Sequence, residues 1–392
     1  MVARHDGFVV FVRHALPGER VVAEVTEVRR GFARAEAVEI LVANAHRTIP
    51  RCPSFHAFGC GGCDFQHADS GLQRDMKMQI LREALVRHGR LEPDRVQELT
   101  QSGLVSLGSD WQWRSRMRFR VLGLPDGTWI PAMHAYRSTA IVSADNCAIA
   151  DPAVLEAAKT VIGQIGSGSA TAAHADLEVT AASDGSASYA AIGPTDDHVH
   201  HRLEIDGIEI DFDVPLGGFW QAQRALVPAL VETVLRFGRP RDGETWWDLY
   251  AGAGPLAAGL AIRVGSTGVI HAVESDGHAV AAARRAFETR GWVQVHRSDV
   301  RRWLARSGHP RPDGVVMDPP RSGAGEATLT GVVALRPRVI VYVACDPVAL
   351  GRDVAVLAAH GYRLTDLRAW DAFPQTHHLE AVGAFEPDDR LS

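Results

Sequence analysis

The spacing of apolar and polar residues divides the chain into two unlike halves. From Thr245 onward, short apolar runs alternate with stretches of helical periodicity, and the runs are 246–250, 268–274, 314–318 and 339–344. Strands of a parallel sheet read as continuous apolar runs because helices cover both faces of the sheet. The second half therefore predicts an α/β fold with a doubly wound, mostly parallel sheet.

The first half predicts a different architecture. Three short valine-rich segments with turn residues between them predict strands of a small β-barrel at 7–12, 20–28 and 33–41. A barrel needs about five strands to close, so this one is predicted to be partial. Helical spacing predicts helices at 71–91 and 153–162, and alternation predicts a strand at 111–121. Residues 166–173 predict a linker, and two or three further strands are expected before Val214.

Composition narrows the class of protein without naming a function. The 392 residues are 46% hydrophobic and 22% charged, which is typical of a globular protein and excludes a disordered, fibrous or disulfide-miniprotein chain. At about 150 residues per domain, two or three domains are expected. Because no apolar run approaches the roughly 18 residues of a membrane span, and the first residues lack a signal-peptide core, a cytoplasmic protein without a membrane partner is predicted.

The charge distribution leaves nucleic-acid binding open. The formal net charge of −6 argues mildly against it, but residues 74–120 carry ten Arg and Lys against six Asp and Glu. In the predicted strand 111–121, arginines alternate with apolar residues, so Arg114, Arg116 and Arg118 share one face. This face has two interpretations: a phosphate-binding surface, or a solvated edge strand.

A glycine loop in the second half predicts a nucleotide-like cofactor. Residues 247–255 read Trp-Asp-Leu-Tyr-Ala-Gly-Ala-Gly-Pro, and Gly252 and Gly254 allow the backbone to approach a ligand beside the N–H groups of a following helix. Glu274 closes the next strand 22 residues after Gly252, where an acidic residue can hold a ribose diol. The loop lacks the GxGxxG form, which favours S-adenosylmethionine over NAD.

Three further motifs carry candidate catalytic groups. Asp318-Pro-Pro-Arg321 and Ala-Cys345-Asp-Pro each follow an apolar strand, at the carboxyl edge where ligands of doubly wound sheets bind. A helix is expected to begin next to Cys345 and to lower the pKa of its thiol, which favours a nucleophile over a buried structural cysteine. Residues 373–380, Phe-Pro-Gln-Thr-His-His-Leu-Glu, contain histidines and a carboxylate that could supply a base.

The other four cysteines form a second candidate site. An odd total of five argues against a disulfide framework and for metal binding or catalysis. Cys52, Cys60, Cys63 and Cys147 lie on predicted loops of the first half and suit a four-thiolate site. Their spacing does not decide between zinc and an iron–sulfur cluster.

The order of the motifs resembles the RNA uracil-5-methyltransferase family. The resemblance rests on Gly-Gly-Phe-Trp-Gln at 217–221, followed by the glycine loop and the motifs around Asp318, Cys345 and Glu380, and it covers nearly the whole chain. Cys-Gly-Gly-Cys at 60–63 with Gln-His at 66–67 resembles the iron–sulfur branch of that family. The first residues resemble the back part of a TRAM domain, a small OB-like RNA-binding barrel.

The resemblance implies an architecture and its partners. A TRAM-like barrel is expected at 1–50, a central α+β domain at 51–215, and a Rossmann-like class I methyltransferase domain at 216–392, with helix 71–91 packing on the catalytic domain. The cofactors are then S-adenosylmethionine and a [4Fe–4S] cluster held by the four cysteines, which the resemblance favours over zinc. The partner is RNA, with ribosomal favoured over transfer RNA, and the protein is expected to be a monomer.

The resemblance also implies roles for individual residues. Cys345 is the nucleophile that adds to uracil C6, Glu380 is the general base that removes the C5 proton, and Arg321 is expected to stabilise negative charge on the uracil or a phosphate. The cofactor positions are Gln221, Tyr250, Gly252, Gly254, Glu274, Asp299 and Asp318.

Three residues depart from the family pattern. Ala251 stands where the family usually has cysteine, Pro255 where a polar residue is usual, and Asp346 where asparagine is usual. Two alternatives therefore stay open: an RNA-binding protein of the same fold with impaired catalysis, and a methyltransferase with a non-RNA substrate. Retention of both Cys345 and Glu380 favours the active enzyme.

Overall fold

The computed structural model describes residues 1–166, 176–191, 197–306 and 308–388. The linker predicted at 166–173 lies, apart from Gly166, outside the described residues. The helices are α1 (Ser70–Arg87), α2 (Pro93–Leu99), α3 (Pro152–Gly166), α4 (Leu226–Gly238), α5 (Pro255–Val264), α6 (Gly277–Ala286), α7 (Val300–Leu304), α8 (Glu326–Ala334) and α9 (Pro347–Ala359). None of these described helices is long and apolar enough to cross a membrane.

The strands group into four sheets. In chain order they are β1 (Val2–His5), β2 (Phe8–Arg13), β3 (Arg20–Arg29), β4 (Phe32–Val42), β5 (Leu104–Ser106), β6 (Arg116–Gly123), β7 (Trp129–His134), β8 (Ile141–Ser143), β9 (Leu177–Ala181), β10 (Ala187–Ala191), β11 (His198–Ile205), β12 (Ile208–Pro215), β13 (Thr245–Leu249), β14 (Val269–Glu274), β15 (Val293–Arg297), β16 (Gly314–Met317), β17 (Val339–Ala344), β18 (Tyr362–Asp371) and β19 (Glu380–Pro387).

The N-terminal sheet has four strands in the order β1-β2-β4-β3. Its three valine-rich strands are the predicted ones. β1, which the sequence analysis missed, pairs antiparallel with β2. All four residues of β1 are exposed, so it carries no apolar alternation by which to recognise it. Val12, Ala35 and Ala37 form the small core of this sheet.

The middle of the chain forms a five-stranded sheet in the order β10-β9-β6-β7-β8, covered by α3. Alternate residues of β6, including Met117 and Phe119, point into a core shared with Val154 and Ile162 of α3. The alternating positions of β6 are occupied by Arg116, Arg118 and Arg120, which therefore lie on the other face of the sheet. The strand begins at Arg116 and not at the predicted residue 111, so Arg114 is not part of this face. β11 and β12 pair with each other as a separate hairpin.

The second half forms an eight-stranded sheet in the order β15-β14-β13-β16-β17-β19-β18-β5. Its four predicted strands, β13, β14, β16 and β17, are parallel and begin and end within one residue of the predicted bounds. This confirms the doubly wound α/β fold. β19 runs antiparallel to both β17 and β18, a reversal that the apolar pattern did not indicate.

Part of the first half completes this sheet. β5 pairs parallel to β18 at the sheet edge, and α1 packs on α9. The approach is close because Gly351 of α9 has no side chain: a Cβ there would lie 2.6 Å from the carbonyl oxygen of Ala84. Leu81 and Leu85 of α1 join the core beneath the sheet. This packing brings the segment that precedes α1, which carries Cys60 and Cys63, to the catalytic half.

Candidate active site

The glycine loop follows β13 in a conformation that few residues other than glycine adopt. Tyr250, Gly252 and Gly254 have φ values of 65°, 57° and 94°, all in the left-handed region. At Gly254 a Cβ would lie 2.7 Å from the ring of Phe287, so a side chain has no room. Pro255 is the first residue of α5, a position where proline loses no hydrogen bond. The departure from the family pattern at Pro255 is therefore compatible with the helix start.

Glu274 lies against this loop, and the backbone holds both of its carboxylate oxygens. The amide of Gly252 donates to Oε2 at 3.0 Å, and the amide of Asp276 donates to Oε1 at 2.8 Å. Asp299 caps α7 by accepting from the amide of Arg302 at 3.1 Å. The structure thus joins Glu274 to the glycine loop, and its contact with a ribose stays a prediction.

Asp248 is a site residue that the sequence analysis quoted within the motif but did not single out. Its Oδ2 accepts from the amide of Ala257 at 2.9 Å, whereas its buried Oδ1 has no hydrogen-bond partner within the described part of the chain. Burial raises the pKa of Asp248 well above its usual value, and the charges of Asp318 and Glu274 raise it further. An acidic residue inside the otherwise apolar strand β13 was the available signal, because such a residue is rarely buried without a function.

The candidate nucleophile Cys345 lies between the end of β17 and the start of α9. Asp346 caps this helix by accepting from the amide of Ala349 at 2.8 Å, so the predicted helix begins where expected. The predicted lowering of the thiol pKa is wrong, however. Burial, together with the charges of Glu380 and Asp318, raises the pKa of Cys345 to about 11, and the charge of Arg321 opposes this rise. The effects of burial and of the two carboxyl groups exceed the opposing effect of the Arg321 guanidinium.

The half-buried Asp318 and the buried Glu380 form a carboxyl pair beside the thiol. Burial raises the pKa of Asp318 to about 7. It also raises the pKa of Glu380 well above its usual value, and the charge of Asp318 adds to this effect while Arg321 counteracts it. These mutual influences place Cys345, Asp318, Arg321 and Glu380 in one site, although their positions span 63 residues. A carboxyl group with a pKa near 7 is suited to take up and release protons at neutral pH.

The side chains of the other four cysteines also lie close to one another. Cys52, Cys60, Cys63 and Cys147 influence one another electrostatically in all six pairings, and Phe55 packs among them. Burial, with smaller contributions from the other three thiols, raises the pKa of Cys63 to about 12. Among the described residues, no group of three or more histidines, cysteines or acids is arranged to hold a single metal ion.

Comparisons with known proteins agree with the fold and the motifs. A TRAM domain model matches residues 1–38, and a model of the tRNA (uracil-5-)-methyltransferase family matches residues 311–385. An uncharacterized RNA methyltransferase of Streptomyces avermitilis is 35% identical, with the alignment covering 97% of this chain and 94% of the relative. The chain belongs to the RNA uracil-5-methyltransferase family.

Two further relatives extend the comparison. A 23S rRNA (uracil(1939)-C(5))-methyltransferase of Shewanella is 29% identical over 98% of this chain and 92% of its own. The crystal structure of a Pyrococcus abyssi tRNA (uracil-54, C5)-methyltransferase, in complex with S-adenosyl-L-homocysteine, matches with a TM-score of 0.69. It covers 97% of this chain and 96% of its own at 19% identity, which supports the shared fold.

The positive charges of the arginines on β6 are neutralised by acidic residues to a greater extent than the sequence of the strand indicates. Glu178 of β9 binds Arg116 at 2.8 Å and Arg118 at 3.2 Å, and Asp176 pairs with Arg120. Arg118 remains 59% exposed at its side chain. The register of β6 with β9, which places Glu178 opposite Arg118, cannot be read from the sequence. Contact of these arginines with RNA stays a prediction.

Arg114 and Gln221 occupy different surroundings from the exposed arginines. Arg114 lies beside the four-cysteine site: burial lowers the pKa of its guanidinium, and the charges of Cys147, Cys63 and Cys60 raise it. Gln221 is half-buried after β12, next to Trp220, whose ring stacks on His201 at a centroid distance of 4.5 Å. Contact of Gln221 with a cofactor stays a prediction.

Proposed function

We propose that the protein transfers a methyl group from S-adenosylmethionine to C5 of a uridine in 23S ribosomal RNA. The observation that carries the proposal is the meeting of Cys345, the Asp318–Glu380 pair and Arg321 beside the glycine loop and Glu274. Ribosomal RNA is favoured over transfer RNA because a relative that aligns over nearly the whole chain is named a 23S rRNA methyltransferase.

The residues around the glycine loop fit S-adenosylmethionine, which when bound supplies an electrophilic methyl group. Glu274 would hold the ribose hydroxyls, because its carboxylate is oriented by the backbone at the end of β14. The unpaired Oδ1 of buried Asp248 fits a cationic group, since a buried carboxylate oxygen without a donor is unfavourable. Tyr250, Gln221, Asp299 and Asp318 would complete the cofactor site, as the family resemblance implies.

Cys345 would activate the uracil. C5 of uracil is a weak nucleophile, so the sulfur first bonds to C6, and the electrons of the C5–C6 double bond move towards O4. Arg321 stabilises the resulting negative charge. The thiol proton passes to the Asp318–Glu380 pair, whose pKa values are raised by burial. C5 would then be the nucleophile for the methyl group that bound S-adenosylmethionine would supply, and S-adenosylhomocysteine would be the leaving group.

Glu380 would complete the reaction. After methylation, C5 carries both the methyl group and its original hydrogen, so that proton must leave before the ring regains its double bond. The Glu380 carboxylate accepts it, the C6–S bond breaks, and Cys345 departs as a thiolate that takes back a proton from the carboxyl pair. The net result is one methyl group gained and one proton lost by the RNA.

The four-cysteine site would hold a [4Fe–4S] cluster with a structural role. Burial raises the pKa values of the Cys60, Cys63 and Cys147 thiols, so nearby cations are needed if the four cysteines are to exist together as thiolates. Gln66 Nε2 donates to Cys63 Sγ at 3.2 Å, the amide of Gly62 donates to Cys60 Sγ at 3.3 Å, and Arg114 adds a positive charge. The resemblance of residues 60–63 and 66–67 to the iron–sulfur branch of the family favours a cluster over zinc.

Two variants test the assigned roles because each stops the reaction at a different stage. Cys345→Ala should bind a 23S rRNA fragment but form no covalent species. Glu380→Gln should add and methylate, and then accumulate a protein–RNA adduct that survives denaturation. Normal turnover by Glu380→Gln, or methylation by Cys345→Ala, would contradict the mechanism.

The RNA class is tested in cells. Ribosomal RNA from a strain lacking the gene should lose one 5-methyluridine, detectable by mass spectrometry of RNA digests, and the intact gene should restore it. Loss from transfer RNA alone would contradict the choice of substrate. Unchanged 5-methyluridine in both RNA classes would favour the alternative of an RNA-binding protein with impaired catalysis.

A further inference from the structure

The loop that leads to Glu380 contains a residue whose conformation needs outside support. Residues 372–379 connect β18 to β19, and Glu380 is the first residue of β19. Gln375 in this loop is buried and has a φ of 68°, in the left-handed region that residues other than glycine rarely adopt. Neighbouring elements must therefore hold the loop in this shape.

That support comes from the segment that follows the cysteine pair and from α1. The amides of Asp64 and Phe65 both donate to the carbonyl oxygen of Gln375, at 2.7 and 3.0 Å. Gln73 of α1 makes a reciprocal pair: it accepts from the Gln375 amide and donates to the Gln375 side chain, each at 3.0 Å. Gln375 is thus held by four hydrogen bonds from residues about 300 positions away in the chain.

Asp64 also holds the loop two residues further on. Its Oδ2 accepts from the backbone amide of His377 at 3.1 Å and from the ring Nδ1 of His377 at 2.6 Å. Asp64 is directly bonded to Cys63 in the chain, and His377 precedes Glu380 by three residues. A short path therefore runs from the four-cysteine site to the proposed base.

We infer that Asp64 is a positioning residue for Glu380: it couples the four-cysteine site to the loop that delivers the base to uracil C5. The inference rests on the proposed role of Glu380. Displacement of the loop should slow removal of the C5 proton more than the addition of Cys345, because Cys345 is carried by β17 and α9 and not by this loop. The four-cysteine site then contributes to catalysis by fixing the geometry of one step.

The test measures where the reaction stalls in the iron-loaded enzyme. Asp64→Ala should lower turnover about 10- to 100-fold, the order of effect expected when a catalytic group is misplaced. It should accumulate methylated, denaturation-resistant adduct while its iron content and its affinity for RNA stay at parental values. Asp64→Asn keeps an acceptor for the His377 amide and should recover most of the turnover.

A second variant and a control separate positioning from a general loss of stability. His377 is 59% exposed at its side chain, so His377→Ala removes the partner at little risk to folding. Because the His377 amide still donates to Asp64, His377→Ala should accumulate adduct to a smaller extent than Asp64→Ala, and the double variant should be no slower than Asp64→Ala within about twofold. Asp69→Ala is the matched control: Asp69 caps α1 by accepting from the Leu72 amide at 2.8 Å, and it should accumulate no adduct.

Three outcomes would overturn the inference. Asp64→Ala could keep the turnover of the parent, or it could lose turnover without accumulating adduct. In the third, the control Asp69→Ala would accumulate as much adduct as Asp64→Ala. Glu380→Gln is run alongside to separate this result from the proposed function. If Glu380→Gln accumulates adduct and Asp64→Ala does not, the positioning role is wrong and the base assignment stands. If Glu380→Gln accumulates none while the parent methylates RNA, the base assignment fails and the inference fails with it.

Discussion

The Nζ atom of Lys77 lies 2.5 Å from Oδ1 of Asp371, although 294 positions separate the two residues. Both side chains are buried, and Lys77 also donates to the carbonyl oxygen of Phe373 at 3.1 Å. The pair ties α1 to the end of β18, where the 372–379 loop begins. α1 therefore holds this loop at its first residues through Lys77 and at its middle through Gln73.

Removal of Lys77 should destabilise the protein strongly. Lys77→Ala leaves the Asp371 carboxylate buried without its charge partner, which costs about 3–5 kcal/mol of unfolding free energy. Urea denaturation measures this loss. The double variant Lys77→Met/Asp371→Leu removes both charges and should recover much of the stability, because no unpaired charge is left. A double variant less stable than Lys77→Ala would show that packing, and not the charge, accounts for the loss.

The elimination step should depend on pH through the carboxyl pair. Glu380 accepts the C5 proton only when it is ionised, and burial together with the charge of Asp318 raises its pKa. Decay of the adduct should therefore accelerate as the pH rises through the raised pKa of Glu380, which lies well above the usual value of a glutamate. Asp318→Asn removes a negative charge, so the pKa of Glu380 falls and the rise should shift to lower pH.

The pH dependence is measured on preformed adduct at saturating S-adenosylmethionine, so that weaker cofactor binding by Asp318→Asn does not distort it. Both proteins are compared in the same buffers and at constant ionic strength. In Asp318→Asn the rise in the rate of adduct decay could occur at the same pH as in the parent, or at a higher pH. Either result would show that Asp318 does not control the ionisation of Glu380.

The four-cysteine site should contain iron. Protein purified without air is expected to be brown and to hold about four irons per chain, as a [4Fe–4S] cluster requires. Cys52→Ser should lose most of this iron. Cys345→Ser, which changes the fifth cysteine, should keep it and serves as the control. Stoichiometric zinc without iron in the parent protein would contradict the prediction.

Arg118 should contribute to RNA binding without sequence preference. It is the more exposed of the two arginines that Glu178 binds, and an exposed guanidinium can reach a phosphate. Arg118→Ala should weaken binding and reduce the slope of log affinity against log salt by about one. Arg87→Ala, which removes an exposed arginine from α1, is the control. An unchanged slope in Arg118→Ala would place the RNA elsewhere.

Much of the fold follows from local patterns. Strands β13, β14, β16 and β17 are recognisable because continuous apolar runs of four to six residues fit only a sheet covered on both faces. The valine-rich strands of the N-terminal sheet are recognisable because valine favours strands and turn residues separate the segments. By contrast, β5 has three residues and β1 is fully exposed, so neither carries enough pattern to be identified before its partner strand is known.

The chemistry of the site is likewise determined partly by the sequence and partly by the tertiary structure. The sequence by itself determined which groups are available: a thiol after β17, carboxylates at Asp318, Glu380 and Glu274, and four further cysteines. The spacing of motifs along the chain identified the family. These inferences succeed because residue type and local order depend only on neighbours in the chain.

Only the tertiary structure decided how these groups behave. Whether the pKa of Cys345 is raised or lowered depends on burial and on two carboxyl groups from other parts of the chain: Asp318, which follows β16, and Glu380, which begins β19. Likewise, Glu178 neutralises the arginine strand through sheet register, and Asp64 reaches His377 because α1 packs on α9. Electrostatic and hydrogen-bond energies depend on distance in space, and the folding of the chain sets those distances.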